Sequence, residues 1–184
     1  MAAGAFIVVG PSGSGKGSLI RRLRQEHPEM HLAVSWTTRA ARDEDNGAYL
    51  YKTREEFEAA IARGEFLEYD EHYGDYYGTP RSELRPGTTT IIEVDIHGAE
   101  QIRKEMPAIP VIFLTPPSLE ELERRIRGRE ANLPEEKVQR RLERARMELE
   151  IGPRIATVVI KNETGPEGFE RAYREFENAI RSFV

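Results

Sequence analysis

The sequence predicts an α/β fold in which a central parallel sheet is flanked by helices and carries an inserted lobe with strands of its own. Short apolar runs such as Ala5–Val9 and residues 109–114 alternate with helical segments along most of the chain. This alternation is typical of right-handed crossovers between parallel strands. Residues 35–80 break the rhythm with strand-like segments that follow one another, so we expect them to form the lobe.

The composition describes a single, highly charged globular domain. The chain has 184 residues, of which 39% are hydrophobic and 32% are charged, with a net charge of −5. This balance gives no broad basic surface for nucleic acid, and no segment approaches the ~20 apolar residues of a membrane span. The chain has no cysteine, which excludes disulfides and thiolate chemistry. We therefore expect a cytoplasmic protein without a nucleic-acid or membrane partner.

The first half of the chain contains a strand-and-helix unit followed by the lobe. The predicted elements are a strand at 5–9, a helix at 16–27, a short strand at 32–36, an irregular polar stretch at 37–48, a helix from 54, and antiparallel strands at 65–71 and 75–78. Thr53 and Glu56 have the spacing of a capping box, which predicts the start of the lobe helix. Gly64 predicts its end, and Gly74 a turn between the two strands.

The second half returns to alternating strands and helices. The predicted elements are a strand at 88–94, a helix at 98–106, a strand at 109–114, a helix from 119 to 129, a break at 130–134, a helix at 134–150, a strand at 157–160 and a helix at 166–183. Ser118 and Glu121 have the spacing of a second capping box at the start of the helix that ends at Arg129.

Residues 10–18, Gly-Pro-Ser-Gly-Ser-Gly-Lys-Gly-Ser, join the first strand to the first helix. Backbone N–H groups in such a loop turn inward to hold an anion, and the helix dipole adds positive charge behind them. Lys16 is placed to reach the outer phosphates of a triphosphate, and the first hydroxyl after it belongs to Ser18. The spacing and its strand–helix context predict a loop that binds nucleotide phosphates.

Two other polar groups point to the same chemistry. Arg39 and Arg42 lie three residues apart beside hydroxyls, where they either clamp a phosphate through forked donors or form a solvated basic turn. Glu93 and Asp95 end a core strand, where ligand sites of open α/β sheets lie and where a carboxylate can hold Mg²⁺ or its waters. The alternative for Asp95 is a helix cap, which a residue nearer Gly98 would serve better.

In this order the segments resemble guanylate kinases. The matching segments are 10–18, Thr-Thr-Arg39, Arg42, Tyr-Tyr-Gly-Thr-Pro-Arg81, Asp-Ile-x-Gly-Ala at 95–99 and Pro-Pro-Ser-Leu-Glu-Glu-Leu-Glu-Arg-Arg at 116–125. The resemblance implies a P-loop kinase with a core (1–34, 81–124 and 147–184), a mixed-β lobe for nucleoside monophosphate (35–80) and a helical lid (125–146). It implies the reaction ATP + GMP → ADP + GDP with Mg²⁺.

The resemblance also implies residue roles. For GMP they are Ser35, Arg39, Arg42, Tyr49, Glu68, Tyr77, Thr79 and Asp95; for ATP they are Gly10, Pro11, Ser12, Gly13, Ser14, Gly15, Lys16, Gly17, Ser18 and Asn162, the last near the adenine. The implied catalytic residues are Lys16, Arg39, Arg125, Arg129 and Arg141, and the implied metal residues are Ser18 and Glu93. The chemistry of guanine agrees with the role implied for Glu68, because a carboxylate can accept both N1–H and N2–H₂ of the base.

Several features depart from the family pattern. Glu93 replaces the usual Asp, Trp36 replaces a small residue, the segments 43–48 and 82–88 are short, and the lid segment 130–134 has an unusual composition. Other arginines of the helices at 119–129 and 134–150, Arg144 among them, are interpreted as surface charges, because they alternate with glutamates. Two alternatives stay open: a kinase for another small phosphate ester, and an inactive module that binds protein partners.

Overall fold

The structure is a computed structural model that describes residues 4–41, 49–72, 74–129 and 133–183. Its strands are β1 (Ala5–Val9), β2 (His31–Leu32), β3 (Ser35–Thr37), β4 (Tyr49–Tyr51), β5 (Phe66–His72), β6 (Asp75–Pro80), β7 (Thr90–Glu93), β8 (Val111–Thr115) and β9 (Val158–Lys161). Its helices are α1 (Lys16–Glu26), α2 (Arg54–Ala62), α3 (Ile96–Glu105), α4 (Leu119–Arg129), α5 (Glu135–Ile155) and α6 (Gly165–Phe183), with a 3₁₀ turn at Arg81–Glu83.

A five-stranded parallel sheet in the order β2-β7-β1-β8-β9 forms the centre of the molecule. Side chains of β1 alternate between its two faces, as the pleat of a strand requires. Phe6 and Val8 pack in a cluster with residues of α1 and α6, whereas Ile7 and Val9 pack in a second cluster with residues of α3 and α5. Helices therefore cover both faces, and the predicted α/β fold with a central parallel sheet is confirmed.

The second sheet is mixed and has the order β4-β3-β6-β5. Strand β3 pairs parallel with β4 and antiparallel with β6, and β5 pairs antiparallel with β6. We call this sheet together with α2 the lobe. The predicted strand at 32–36 is wrong as a single element, because Leu32 pairs with β7 in the central sheet and Ser35 pairs with β4 in the lobe. An apolar run does not reveal that its two ends join different sheets.

Aromatic side chains form the core of the lobe beneath α2. The ring of Phe57 stacks on Phe66 with centroids 4.4 Å apart and on Tyr76 with centroids 5.1 Å apart. The predicted capping box at the start of α2 is confirmed, since Thr53 accepts from the Glu56 N–H and Glu56 accepts from the Thr53 N–H. A separate apolar cluster of Leu122, Ile126, Val138, Leu142 and Ala145 holds α4 against α5.

Helix α5 extends to Ile155, five residues beyond its predicted end, and contains Pro153 near its last turn. Gly152 packs directly on the ring of Phe113 from β8, so the last turn of the helix is fixed against the sheet. None of the helices in the described part of the chain is long and apolar enough to cross a bilayer.

Candidate active site

The phosphate loop leaves β1 and enters α1 at Gly15, which has a φ of 97° in the left-handed region. Asn162, which follows β9, contacts the loop through a hydrogen bond. Its Nδ2 donates to the Ser14 carbonyl at 2.8 Å. A Cβ on Gly15 would lie 2.1 Å from that Nδ2. Glycine is therefore required at this position by both its backbone angle and the close approach of Asn162.

Lys16 folds back over the loop, where its Nζ donates to the Gly10 carbonyl at 2.5 Å. Burial lowers the pKa of the Lys16 ammonium. Nearby carboxylates oppose this lowering, and one nearby guanidinium adds to it. These charged groups are Glu93, Glu148 and Asp95, which raise the pKa, and Arg144, which lowers it. The loop lysine thus lies among charges from the end of β7, the start of α3 and the middle of α5.

Ser18 and Glu93, the two predicted metal residues, lie on adjoining elements. Ser18 is exposed in the first turn of α1, and Glu93 is exposed at the end of β7, in register with Val8 of β1. Hydroxyl and carboxylate oxygens suit Mg²⁺, which usually keeps several waters and takes one or two protein ligands beside substrate phosphates. The described residues contain no group of three or more acidic or histidine side chains that could hold a metal alone. This sparse oxygen set fits a metal that arrives with a nucleotide.

A chain of three hydrogen-bonded side chains crosses the lobe at Glu68. Thr79 Oγ1 donates to Glu68 Oε1 at 2.7 Å, and Ser35 Oγ lies 3.1 Å from Thr79 Oγ1. Glu68 is only 8% exposed, and burial raises its pKa to about 7, against the opposing hydrogen bond from Thr79. The resemblance implies that Ser35, Glu68, Thr79 and Asp95 are the GMP residues on the guanine side, and the structure joins the first three in one polar chain.

The fourth, Asp95, lies close enough to raise the pKa of Glu68 through its charge. It is also the N-cap of α3, and its Oδ1 accepts from the Gly98 N–H at 2.9 Å. The sequence interpretation that Asp95 is a poor cap was wrong, because α3 begins at Ile96 rather than at residue 98. Because the helix starts two residues earlier than predicted, Asp95 is its N-cap and Gly98 is its third residue, whose N–H a cap side chain can accept.

Arg144 is an exposed charge paired with a glutamate of its own helix, as the sequence predicts, but it also contacts Asp95. Its Nη2 lies 2.6 Å from Asp95 Oδ2 and its Nε lies 2.8 Å from Glu148 Oε1. The pairing with Glu148 has the ordinary i,i+4 spacing of a solvated helix, so the sequence carried no signal that distinguished Arg144 from its neighbours. Arg144 and Glu148 are thus charged groups near Lys16 and Asp95 that the sequence interpretation did not place beside the predicted site.

Arg39, Tyr49 and Tyr77 lie together on the lobe. The Arg39 guanidinium lies 5.4 Å from the Tyr49 ring centroid, and the Tyr49 and Tyr77 rings meet edge to face at 6.0 Å. The Arg39 Nη1 donates to the Ala40 carbonyl at 2.7 Å. The arrangement presents one cation beside two phenol rings. Arg42 lies outside the described residues.

Arg125 lies beside the phosphate loop, because α4 packs Leu122 and Ile126 against Gly13. Its Nε donates to Glu121 Oε1 at 2.8 Å and its Nη2 donates to the Asn162 carbonyl at 3.1 Å. Hydrogen bonds from two arginines, Arg124 first and Arg125 second, lower the pKa of Glu121 to about 2.

The second predicted capping box is therefore only half formed. Ser118 Oγ accepts from the Glu121 N–H at 3.2 Å, while the Glu121 carboxylate is paired with Arg124 and Arg125. Of the other two predicted lid arginines, Arg141 is half-buried on α5. Arg129 is the last residue of α4, and its side chain lies outside the described set.

Comparison with known proteins identifies the family of this chain. A family model described as guanylate kinase matches residues 3–183. The chain belongs to the guanylate kinase family. Among curated guanylate kinases, those of Trichormus variabilis and a Synechococcus strain are 43% and 44% identical over 181 and 180 residues. These matches cover 95% of this chain, and 88% and 92% of the two relatives.

Solved structures agree with this membership. The crystal structure of guanylate kinase from Anaplasma phagocytophilum superposes with a TM-score of 0.73 at 29% identity, covering 98% of this chain and 86% of that chain. Shikimate kinase from Acinetobacter baumannii shares the fold alone, with a TM-score of 0.51 at 14% identity over 99% of this chain and 96% of that chain. The resemblance inferred from the motifs and the P-loop kinase fold are therefore confirmed.

Proposed function

We propose that this protein transfers the γ-phosphate of ATP to GMP, giving ADP and GDP. The observation that carries the proposal is the position of Asp95, whose charge acts on both Lys16 of the phosphate loop and Glu68 of the lobe. Glu68 and the phosphate loop thus both lie near Asp95. A buried carboxylate there can accept the adjacent N1–H and N2–H₂ donors of guanine, which adenine and sugar phosphates do not offer together.

Phosphoryl transfer needs positioning and charge neutralisation more than covalent chemistry. We assign triphosphate binding to the loop 10–18 and support of that loop to Asn162, through the Ser14 carbonyl. This role differs from a contact with adenine, which the family resemblance implies for Asn162. Lys16 would leave the Gly10 carbonyl and neutralise charge on the β- and γ-phosphates.

The remaining cations suit the two phosphate groups that meet in the reaction. We assign the GMP phosphate to the lobe cluster of Arg39, Tyr49 and Tyr77 together with Arg42. Arg125, Arg129 and Arg141 lie on α4 and α5, and we assign them to the transferring phosphate. The arrangement supports a division into a core (1–34, 81–124 and 147–184), a GMP lobe (35–80) and a lid (125–146).

We place Mg²⁺ at Ser18 and Glu93, through water where the side chains do not reach. Ser18 and Glu93 would hold the metal or its waters, and the metal would neutralise part of the charge on the phosphates. Glu93 is one methylene longer than aspartate, so its carboxylate extends further from β7 toward the loop. Within the loop 10–18, Lys16 is the cation that we assign to the β- and γ-phosphates.

An ADP-release assay with GMP, AMP and ribose 5-phosphate as acceptors tests the proposal. We expect release with GMP to exceed release with the other two, and Lys16→Ala to abolish it in the same preparation. Preference for ribose 5-phosphate would favour a kinase for another phosphate ester. Release with none of the acceptors in a folded protein would favour an inactive binding module.

A further inference from the structure

Strand β5 is an edge strand of the lobe sheet, and its free edge faces α3 of the core. The side-chain amide of Gln101 binds both backbone groups of Tyr69 at that edge. The Tyr69 N–H donates to Gln101 Oε1 at 3.2 Å, and Gln101 Nε2 donates to the Tyr69 carbonyl at 3.0 Å. The amide thus pairs with the strand as a further strand would, and it satisfies groups that an edge otherwise leaves open.

Neighbouring residues of α3 contact the residues on either side of Tyr69. His97 Nδ1 lies 2.9 Å from Asp70 Oδ2, one turn before Gln101. Gly98 lies directly beneath Glu68, where an added Cβ would be 3.1 Å from Glu68 Oε2. Three consecutive residues of β5, at positions 68–70, therefore lie against α3, and two of them, Tyr69 and Asp70, form hydrogen bonds with it.

This attachment adds to the hydrogen bonds from Thr79, which also hold the Glu68 carboxylate. The β5–β6 register shifts between Phe66 and Glu68, so the ladder is irregular directly before Glu68. Thr79 holds one oxygen, Oε1, and the other oxygen faces Gly98. A small rotation of the strand about this irregularity would move the carboxylate, and the Gln101 bonds one residue later oppose such a rotation.

We propose that Gln101 is a specificity-determining positioning residue, which aligns Glu68 with guanine by fixing the Tyr69 backbone at the free edge of β5. This inference rests on the proposed GMP kinase function. Gln101 binds backbone and not substrate, so its effect should appear in the acceptor constants and leave the ATP constants unchanged.

The test compares Gln101→Ala and Gln101→Glu with Glu100→Ala, an exposed neighbour on the same helix that controls for the change in α3. We expect Gln101→Ala to raise the KM for GMP roughly tenfold, as expected for the loss of two hydrogen bonds. The ratio of kcat/KM for GMP to that for AMP should fall by a similar factor, while the KM for ATP stays constant. Gln101→Glu keeps the acceptor for the Tyr69 N–H but places a carboxylate oxygen opposite the Tyr69 carbonyl, so its effect should be at least as large as that of Gln101→Ala.

Hydrogen exchange of the Tyr69 amide gives a second readout that does not depend on turnover. It should be faster in Gln101→Ala than in wild type, and unchanged in Glu100→Ala. The proposal is overturned if both Gln101 variants match Glu100→Ala in KM for GMP and in the GMP/AMP ratio, whatever the exchange rate. If Gln101→Ala does not fold, the same comparison with Gln101→Glu decides. A wild-type protein that does not phosphorylate GMP overturns the proposed function instead, and the two failures are therefore distinct.

Discussion

Arg144 of α5 and Asp95 of α3 form an ion pair with 2.6 Å between Nη2 and Oδ2. Asp95 uses its other oxygen to cap α3, so one carboxylate joins a helix start in the core to a helix that we assign in part to the lid. The Arg144 side chain is 51% exposed and that of Asp95 is 29% exposed. Solvent therefore screens the pair, and its strength should be modest and dependent on salt.

A double-mutant cycle with Arg144→Ala and Asp95→Asn measures this pair. Asparagine keeps the helix cap and removes the charge, so the cycle isolates the ion pair. We expect a coupling free energy of about 0.5–1 kcal/mol by denaturant unfolding, reduced at high salt. Arg140→Ala serves as the matched control, since Arg140 pairs with Glu136 on the same helix. Equal coupling of Arg140 and Arg144 to Asp95 would contradict the specific contact.

Lys16→Ala should lower kcat by about 10²–10³-fold, the effect typical of removing one donor to developing charge. The fold should remain intact, because Lys16 bonds only to loop carbonyls among the described residues. Steady-state ADP release and circular dichroism check the two statements, with the exposed Lys137→Ala as the control. Removal of divalent metal with EDTA should also stop turnover. Turnover at the wild-type rate after either treatment would refute the assignment of Lys16 and the metal to the phosphates.

Asn162→Asp should weaken ATP binding more than Asn162→Ala does. Aspartate replaces the Nδ2 donor with an oxygen that faces the Ser14 carbonyl 2.8 Å away, whereas alanine removes the contact. Repulsion between two buried acceptors and the cost of burying a charge both act against the loop. Isothermal titration with ATP and thermal unfolding test this order. Equal affinities in wild type and Asn162→Asp would show that Asn162 does not support the loop.

Residues close in sequence to a motif were predictable, and contacts between distant segments were not. Lys16 belongs to the recognisable loop at 10–18, the family resemblance implies Glu68 as a GMP residue, and the structure places both near Asp95. Arg144 and Asp95 are separated by 49 positions, and no local pattern marks either as the partner of the other. Likewise, the strands at His31–Leu32 and Ser35–Thr37 read as one apolar run, because sheet membership depends on partners elsewhere in the chain.

Glu68→Gln should reduce the preference for GMP over AMP. Adenine has an acceptor at N1 and no N2 amine, so it would leave the buried carboxylate of the wild type facing a lone pair. A site built to pair donors can reject a ligand without them by ~10⁴-fold. Glutamine keeps the shape and replaces one acceptor oxygen with a donor, so kcat/KM for GMP should fall steeply while that for AMP stays the same or rises. The exposed Glu65→Gln is the control for a carboxylate lost nearby; an unchanged GMP/AMP ratio in Glu68→Gln would place base recognition elsewhere.

The pH dependence of stability and of GMP binding should both report Glu68. Burial raises its pKa from 4.5 to about 7, so between these values the folded protein keeps a proton that the unfolded chain has lost. The stability contributed by protonated Glu68 is therefore complete below about pH 4.5 and is lost as the pH rises through about 7. The free energy of unfolding of wild type should fall across this window relative to that of Glu68→Gln.

Guanine pairs with the ionised carboxylate, so 1/KM for GMP should rise with pH to about 7 and then level. Subtracting the profile of Glu68→Gln removes the titration of the GMP phosphate itself, and parallel profiles of the two proteins would refute the assignment.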